Sequence, residues 1–226
     1  MRAWRGDYAA HNRMGTHKDI GYSPYSDQST RVEELELKLM EVKKELATAR
    51  NLGASISSVR EYDFKNPDGT QVRLSDLFGD HDDLVIIHNM GEKCQYCALW
   101  ADGMSAFAPH LVRRAAFVLA SPNSPESLRN QIATRGWKFR VVSDHGSPFA
   151  HDMGFEGSSV SHGTTRLPGV SAFHRERDTS GSVRIRRTGA AQFGPGDDFC
   201  AIWPLFDLVS GGVGGWTPVA PYTLPS

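Results

Sequence analysis

Leu84-Val85-Ile86-Ile87-His88-Asn89-Met90-Gly91-Glu92-Lys93-Cys94-Gln95-Tyr96-Cys97 is the stretch that decides how this chain folds. Its first five residues have the length and β-branched character of a buried strand, and Ala98 to Leu111 beyond it carries an amphipathic helical pattern. The C-x-x-C therefore sits where a strand hands over to a helix. There the first sulfur meets backbone N–H groups that the helix leaves unpaired, and the helix dipole favours thiolate over thiol. That is the chemistry of a dithiol redox centre. Cys94, at the helix start, reads as the attacking thiol, and Cys97, one turn on, as the one that resolves the mixed disulfide. Lys93 adds positive charge beside Cys94, and Glu92 partly cancels it.

Outward from this stretch the pattern is that of an α/β layer fold. Val59 to Phe64, the turn Asn66-Pro67-Asp68-Gly69 and Thr70 to Leu74 read as strand, turn and short strand, followed by one helical turn at Ser75 to Gly79. Downstream come a strand at Ala115 to Ala120, a helix from Ser124 to Arg135 opened by Ser124-Pro125-Glu126, and a strand at Lys138 to Ser143. This alternation predicts parallel βαβ pairing at the sheet centre. Residues 144–166 read as an irregular surface excursion, Val170 to His174 with Ser182 to Arg187 as a hairpin, and Phe199 to Leu208 as a closing helix. Asp197 or Asp198 would cap that helix, with Trp203, Leu205, Phe206 and Leu208 as its apolar load. Asp102, Gly103 and Pro109 predict a kink in the helix after the cysteines.

At the N-terminus, residues 1–30 lack periodicity and read as a flexible leader. Residues 31–52 form an amphipathic helix, with Val32, Leu35, Leu39, Val42, Leu46 and Ala49 at alternating spacings of three and four. Its stripe, about two and a half heptads long, docks on the protein's own core or on a second copy. The main domain spans 55–222.

The 226 residues include 25 basic and 26 acidic side chains, so no bulk charge recruits nucleic acid or an anionic membrane surface. No apolar run reaches the roughly 18 to 20 residues of a membrane span, and Met1 to Thr30 lacks a secretory core, which predicts a cytoplasmic protein. Three cysteines are too few for a stapled secreted scaffold and suit a reducing compartment. The glycines at 211–215 are followed by no Lys-Ser or Lys-Thr and make no phosphate loop.

Taken in order, these elements resemble the thioredoxin-like fold over about Val59 to Leu208: a mixed central sheet flanked by helices. More narrowly, His88-Asn89-Met90-Gly91, Cys97-Ala98-Leu99-Trp100-Ala101-Asp102-Gly103, Pro168-Gly169-Val170-Ser171-Ala172-Phe173 and Trp203-Pro204-Leu205-Phe206-Asp207-Leu208 resemble a bacterial thioredoxin-like family catalogued as domain of unknown function 899. The resemblance implies that Pro168 faces the cysteines and that its backbone pairs with a bound substrate chain. Arg166, beside it, is the candidate for contacting a substrate. Thioredoxins carry Trp-Cys-Gly-Pro-Cys, whereas here Lys93 precedes the first cysteine and Gln95-Tyr96 fills the middle. Peroxiredoxins carry Pro-x-x-x-Thr-x-x-Cys, whereas Ile87 and Gly91 hold those positions here.

The expected function is thiol–disulfide exchange on a protein or small-molecule disulfide, with a thiol electron donor and no cofactor. The alternatives are a peroxide-reducing thiol antioxidant and a non-catalytic binding module of the same fold. C-x-x-C is also half of a zinc site, but His88, His110, His145, His151, His162, His174 and Cys200 complete no recognised ligand spacing. His88 either takes a proton from Cys97 or points sideways onto backbone, and Cys200 reads as a buried structural thiol.

Overall fold

The computed structural model describes residues 29–159, 163–177 and 183–219. Most of the expected leader, His162 and the last residues of the expected main domain lie outside these. The described residues divide into two compact units, parted between Ala49 and Arg50.

Helix α1 (Ser29–Gly53) is the expected N-terminal helix, and its boundary residues agree with the sequence pattern to within about two positions. Leu35, Leu39, Val42 and Leu46 on the stripe are exposed. The helix is less cleanly two-sided than its stripe suggests, because Leu37 and Met40 stand off that stripe and are exposed as well.

In the larger unit, one eight-stranded sheet has the order β1 (Ile56–Val59), β10 (Val183–Gln192), β9 (Gly169–Arg177), β4 (Asp83–His88), β5 (Ala116–Ser121), β6 (Arg140–Ser143), β2 (Asp63–Lys65), β3 (Gln71–Arg73). Its centre is β4, β5 and β6, parallel to one another, as the βαβ pattern predicts. On the other side of β4 lie β9 and β10, antiparallel. The one-turn α2 (Leu74–Leu77) precedes β4, helix α3 (Gln95–Leu111) joins β4 to β5, α4 (Pro125–Arg135) joins β5 to β6, and the short α6 (Ile202–Asp207) follows β10. A βαβ unit and a βα hairpin unit sharing one mixed sheet, with the C-x-x-C between its first strand and helix, is the thioredoxin-like arrangement.

The structure corrects one strand. Val59 to Phe64 is two strands, β1 (Ile56–Val59) beside β10 and β2 (Asp63–Lys65) beside β6 and β3 (Gln71–Arg73), on opposite sides of the sheet. In a flat sheet these would lie six spacings apart, about 29 Å, yet the chain from Val59 to Asp63 can reach only about 14 Å. The sheet therefore curls. The crossing is held by Asp152, whose carboxylate accepts hydrogen bonds from Arg60 (2.6 Å) and Tyr62 (2.8 Å).

Strand alternation sorts the core onto the two faces of this curl. Leu84, Ile86, Val118, Ala120 and Val142 pack inside it with Phe64, Phe149, Phe155 and Phe173. Ile87, Phe117, Leu119 and Val141 pack on the other face with Trp100, Met104, Leu128 and Trp203 from the helices. Residues 144–166 are accordingly no surface excursion. They contain α5 (Phe149–Asp152) and the hairpin β7 (Glu156–Ser159) with β8 (Gly163–Arg166), and Phe149, Met153 and Phe155 are buried core. Polar glycine-rich and serine-rich flanks mask these three side chains in the sequence.

Two further expectations are corrected. α6 is a six-residue helix without a side-chain cap; Asp197 instead closes the turn before it, accepting from the Gly194 and Phe199 N–H groups at 2.8 Å each. Only Trp203 of its expected apolar load is buried, while Leu205 and Leu208 are exposed. Helix α3 runs continuously through Asp102 and Gly103 and includes Pro109. The Asp102 carboxylate accepts from Trp137 Nε1 (2.7 Å) and Arg135 (2.8 Å), tying α3 to the end of α4.

Candidate functional site

Helix α3 begins with a sulfur as its cap. Cys94 has the extended backbone of an N-cap residue (φ −87°, ψ 101°), and its Sγ accepts the Cys97 N–H at 3.2 Å. An N-cap side chain takes the amide of the residue three positions on. The C-x-x-C spacing thus makes the second cysteine supply the amide that the first one caps, and the Ala98 N–H bond to the Cys94 carbonyl (3.1 Å) starts the helix.

The loop before the cap is rigidly specified. Asn89 N–H bonds the Ala120 carbonyl (3.0 Å), continuing the β4–β5 ladder, and its side-chain oxygen accepts from the Gly91 N–H (2.7 Å). Gly91 has φ +106°, which favours glycine, and a Cβ there would stand 2.9 Å from Asn123 Oδ1, so a side chain would also have to displace Asn123. Its carbonyl in turn accepts the Cys94 N–H (3.1 Å). Met90 connects both sulfurs: its N–H donates to Cys97 Sγ (3.5 Å), and its Sδ lies 4.0 Å from Cys94 Sγ. Met90 and Asn123 are site neighbours the sequence reading missed. The His88-Asn89-Met90-Gly91 string was the available signal for Met90; Asn123 is brought in from the β5–α4 turn by the fold alone.

The two thiols are electrostatically unequal. The Cys97 thiol donates to the Cys94 sulfur, and together with the Cys97 and Tyr96 amides it lowers Cys94 from 9.0 to about 6, against the opposing cost of partial burial. The same bond, with burial and the neighbouring negative charge, pushes Cys97 far up. Near neutral pH the half-exposed Cys94 is thus the thiolate and the buried Cys97 the thiol. Glu92 is drawn away from this pair: its carboxylate accepts from Asn123 Nδ2 (3.3 Å) and the Ser127 hydroxyl at the start of α4.

His88 is not a base for these thiols. It follows Leu84 and Ile86 onto the inner face of the curl, stacked 4.0 Å from Phe155 and 5.3 Å from Phe149, with Nε2 2.9 Å from Ser171 Oγ. Burial lowers it to about 3, so it stays neutral. Its partner is a hydroxyl and not the backbone group expected of a sideways histidine.

Pro168 reaches the right end of the sheet. Gly169 pairs with His88 at the end of β4, and a Cβ on Gly169 would stand 2.5 Å from the Ala191 carbonyl. Proline has no N–H, however, and its carbonyl already accepts the Phe193 N–H at 2.9 Å. The implied backbone pairing with a substrate at Pro168 itself would therefore have to use that carbonyl's second lone pair. Arg166 is engaged internally: it bonds Asp144 at 2.6 Å and Glu156 at 2.7 Å with 16% of its side chain exposed. Two carboxylates hold it in place, so the substrate contact expected of it would have to be made from within these ion pairs.

Cys200 is buried and stands apart from the pair, its thiol pushed up by burial. Among the described residues no group of three or more His, Cys, Asp or Glu side chains is arranged to hold a metal ion, and no helix is long and apolar enough to cross a membrane.

Residues 22–217 match the family described as "Bacterial protein of unknown function (DUF899)". No curated protein matches the chain. Similar solved structures include peroxidoxin BcpB of Mycobacterium tuberculosis (18% identity over 57% of this chain and 81% of that one, TM-score 0.45). Peroxiredoxin Q of Xanthomonas campestris is similar at 18% identity over 61% and 87%, TM-score 0.48. Reduced Prx3 of Vibrio vulnificus, in complex with hydrogen peroxide, is similar at 14% identity over 62% and 87%, TM-score 0.46.

Proposed function

The chain belongs to the DUF899 family, and within it we propose that this protein is a thiol–disulfide oxidoreductase working through Cys94 and Cys97. The observation that supports the reading is the capping geometry: a half-exposed sulfur that receives the Cys97 amide at 3.2 Å and is lowered to about 6.

The proposed reaction begins with the Cys94 thiolate attacking one sulfur of a substrate disulfide. A Cys94 mixed disulfide forms, and the other substrate sulfur leaves as a thiolate that water protonates. Once Cys94 no longer carries its negative charge, Cys97 gives up its proton to water and attacks Cys94 Sγ, expelling the second substrate thiolate, which water protonates. The substrate gains two electrons and two protons, and the protein is left with a Cys94–Cys97 disulfide. A dithiol donor, as found in a reducing compartment such as the cytoplasm, returns the pair to thiols by the reverse exchange.

The test is reduction of a peptide disulfide with dithiothreitol as donor. Cys94→Ser is expected to lower the catalysed rate at least about 1000-fold, since no thiolate remains to attack. A variant rate equal to wild type overturns the proposal. So does oxidation of Cys94 by hydrogen peroxide far faster than that of free cysteine with no catalysed disulfide exchange, which substitutes the peroxide-reducing alternative. A Cys94 alkylation midpoint near 8.5 would favour the non-catalytic binding module instead.

A further inference from the structure

The stripe on α1 carries a charge pattern that specifies what covers it. Written as a heptad, Val32, Leu39 and Leu46 hold the a positions, and Leu35, Val42 and Ala49 the d positions. Leu35, Leu39, Val42 and Leu46 are between 39% and 52% exposed, which is unusual for four aliphatic side chains on one seam. The flanks are polarised along the axis. Residues 31–37 hold Glu33, Glu34 and Glu36 against Arg31, whereas residues 38–49 hold Lys38, Lys43 and Lys44 against Glu41 and Glu45.

We propose that α1 pairs with α1 of a second copy of this chain in the antiparallel sense. A twofold axis between residues 40 and 41 sets Val32 against Ala49, Leu35 against Leu46, and Leu39 against Val42, so every seam residue meets an apolar one and none overhangs. The same axis sets each flank against its own copy. Lys38 then faces Glu45 of the second copy, and Glu36 faces Lys43, so each charged contact beside the seam joins opposite signs and occurs twice by symmetry. Parallel pairing would set Arg31 against Glu36 and Glu45 against Arg50 favourably, but it places Lys38 against Lys43, which repels, whereas the antiparallel sense has no like-charge contact beside the seam. The antiparallel sense also opposes the two helix dipoles favourably.

Sedimentation equilibrium of the full chain tests this independently of the thiol chemistry. At concentrations on the order of 100 μM the expected mass is twice 24.9 kDa. Lys38→Glu turns two contacts repulsive and is expected to weaken association about tenfold, and Lys38→Glu with Glu45→Lys restores it to within about threefold. Lys44→Glu, on the outward face, leaves it unchanged, and Leu39→Asp weakens it at least about 100-fold. Far-ultraviolet circular dichroism of each variant keeps loss of the helix distinct from loss of pairing. A monomeric wild type, whose stripe is then covered by the chain's own residues or a different partner, overturns the proposal. Tighter association of Lys38→Glu, the signature of parallel pairing, overturns it too, as does failure of the charge swap to rescue.

Discussion

Cys94 and Cys200 stand at the starts of two helices on the same face of the sheet, yet their thiols are pushed in opposite directions. Cys94 caps a 17-residue helix, receives amides from Tyr96 and Cys97 as well as the Cys97 thiol, and is half-exposed. Cys200 precedes a six-residue helix, receives one amide from Ile202, is buried, and faces the Asp197 carboxylate, which opposes its ionisation. The lesson is that nearness to a helix N-terminus does not make a thiolate. The sulfur must occupy the capping position and have enough donors to offset what burial costs it.

Removing the thiol donor from the first site should bring the two cysteines closest together. Cys97→Ala is expected to raise the Cys94 midpoint from about 6 toward 9 and to cut turnover about 100-fold while trapping a Cys94 mixed disulfide. Iodoacetamide rates against pH and mass spectrometry of the trapped adduct measure both. An unmoved midpoint would mean that the backbone amides alone hold the thiolate.

The pH dependence of stability should separate the sites next, with opposite signs. Cys94 is lowered in the fold from 9.0 to about 6, so its contribution is fully present above pH 9 and is lost as pH falls toward 6. Cys200 is raised above 9.0, so its contribution is present below pH 9 and is lost as pH rises beyond it. Urea midpoints of reduced wild type should therefore gain on Cys94→Ser between pH 6 and 9, and should fall relative to Cys200→Ala above pH 9. Parallel curves throughout would erase the contrast.

The smallest effect belongs to Cys200 itself. Cys200→Ala is expected to leave turnover unchanged and to cost about 1 kcal/mol of stability through the small cavity it opens, read by thermal unfolding. A loss of turnover would give Cys200 a part in the chemistry that its burial beside Trp203 and Phe193 argues against.

Much of the candidate site was legible in advance because its parts are consecutive. Strand, loop, cap and helix run unbroken from Leu84 to Leu111, and spacing alone puts the Cys97 amide in reach of Cys94. The residues read incompletely are those whose partners lie far along the chain. Nothing near Arg166 in sequence announces Asp144, 22 positions away, so the sequence presents its guanidinium as unengaged. Asp197 was taken for a helix cap although the turn before the helix, and Trp100 at 3.3 Å, claim it. Glu92 was set against Cys94 by adjacency, when Asn123 and Ser127 draw it off to α4.

The amino-acid sequence by itself determined the central βαβ, the C-x-x-C at a helix start and the heptad on α1, since each is a periodicity or a short-range spacing that local backbone geometry imposes. Only the tertiary structure decided the curl of the sheet, the burial of Phe149 and Phe155 within it, the exclusion of His88 from the thiols, and the neutralisation of Arg166. These depend on which distant strands become neighbours, and that is set by the global closure of the sheet around its core, which no local pattern encodes.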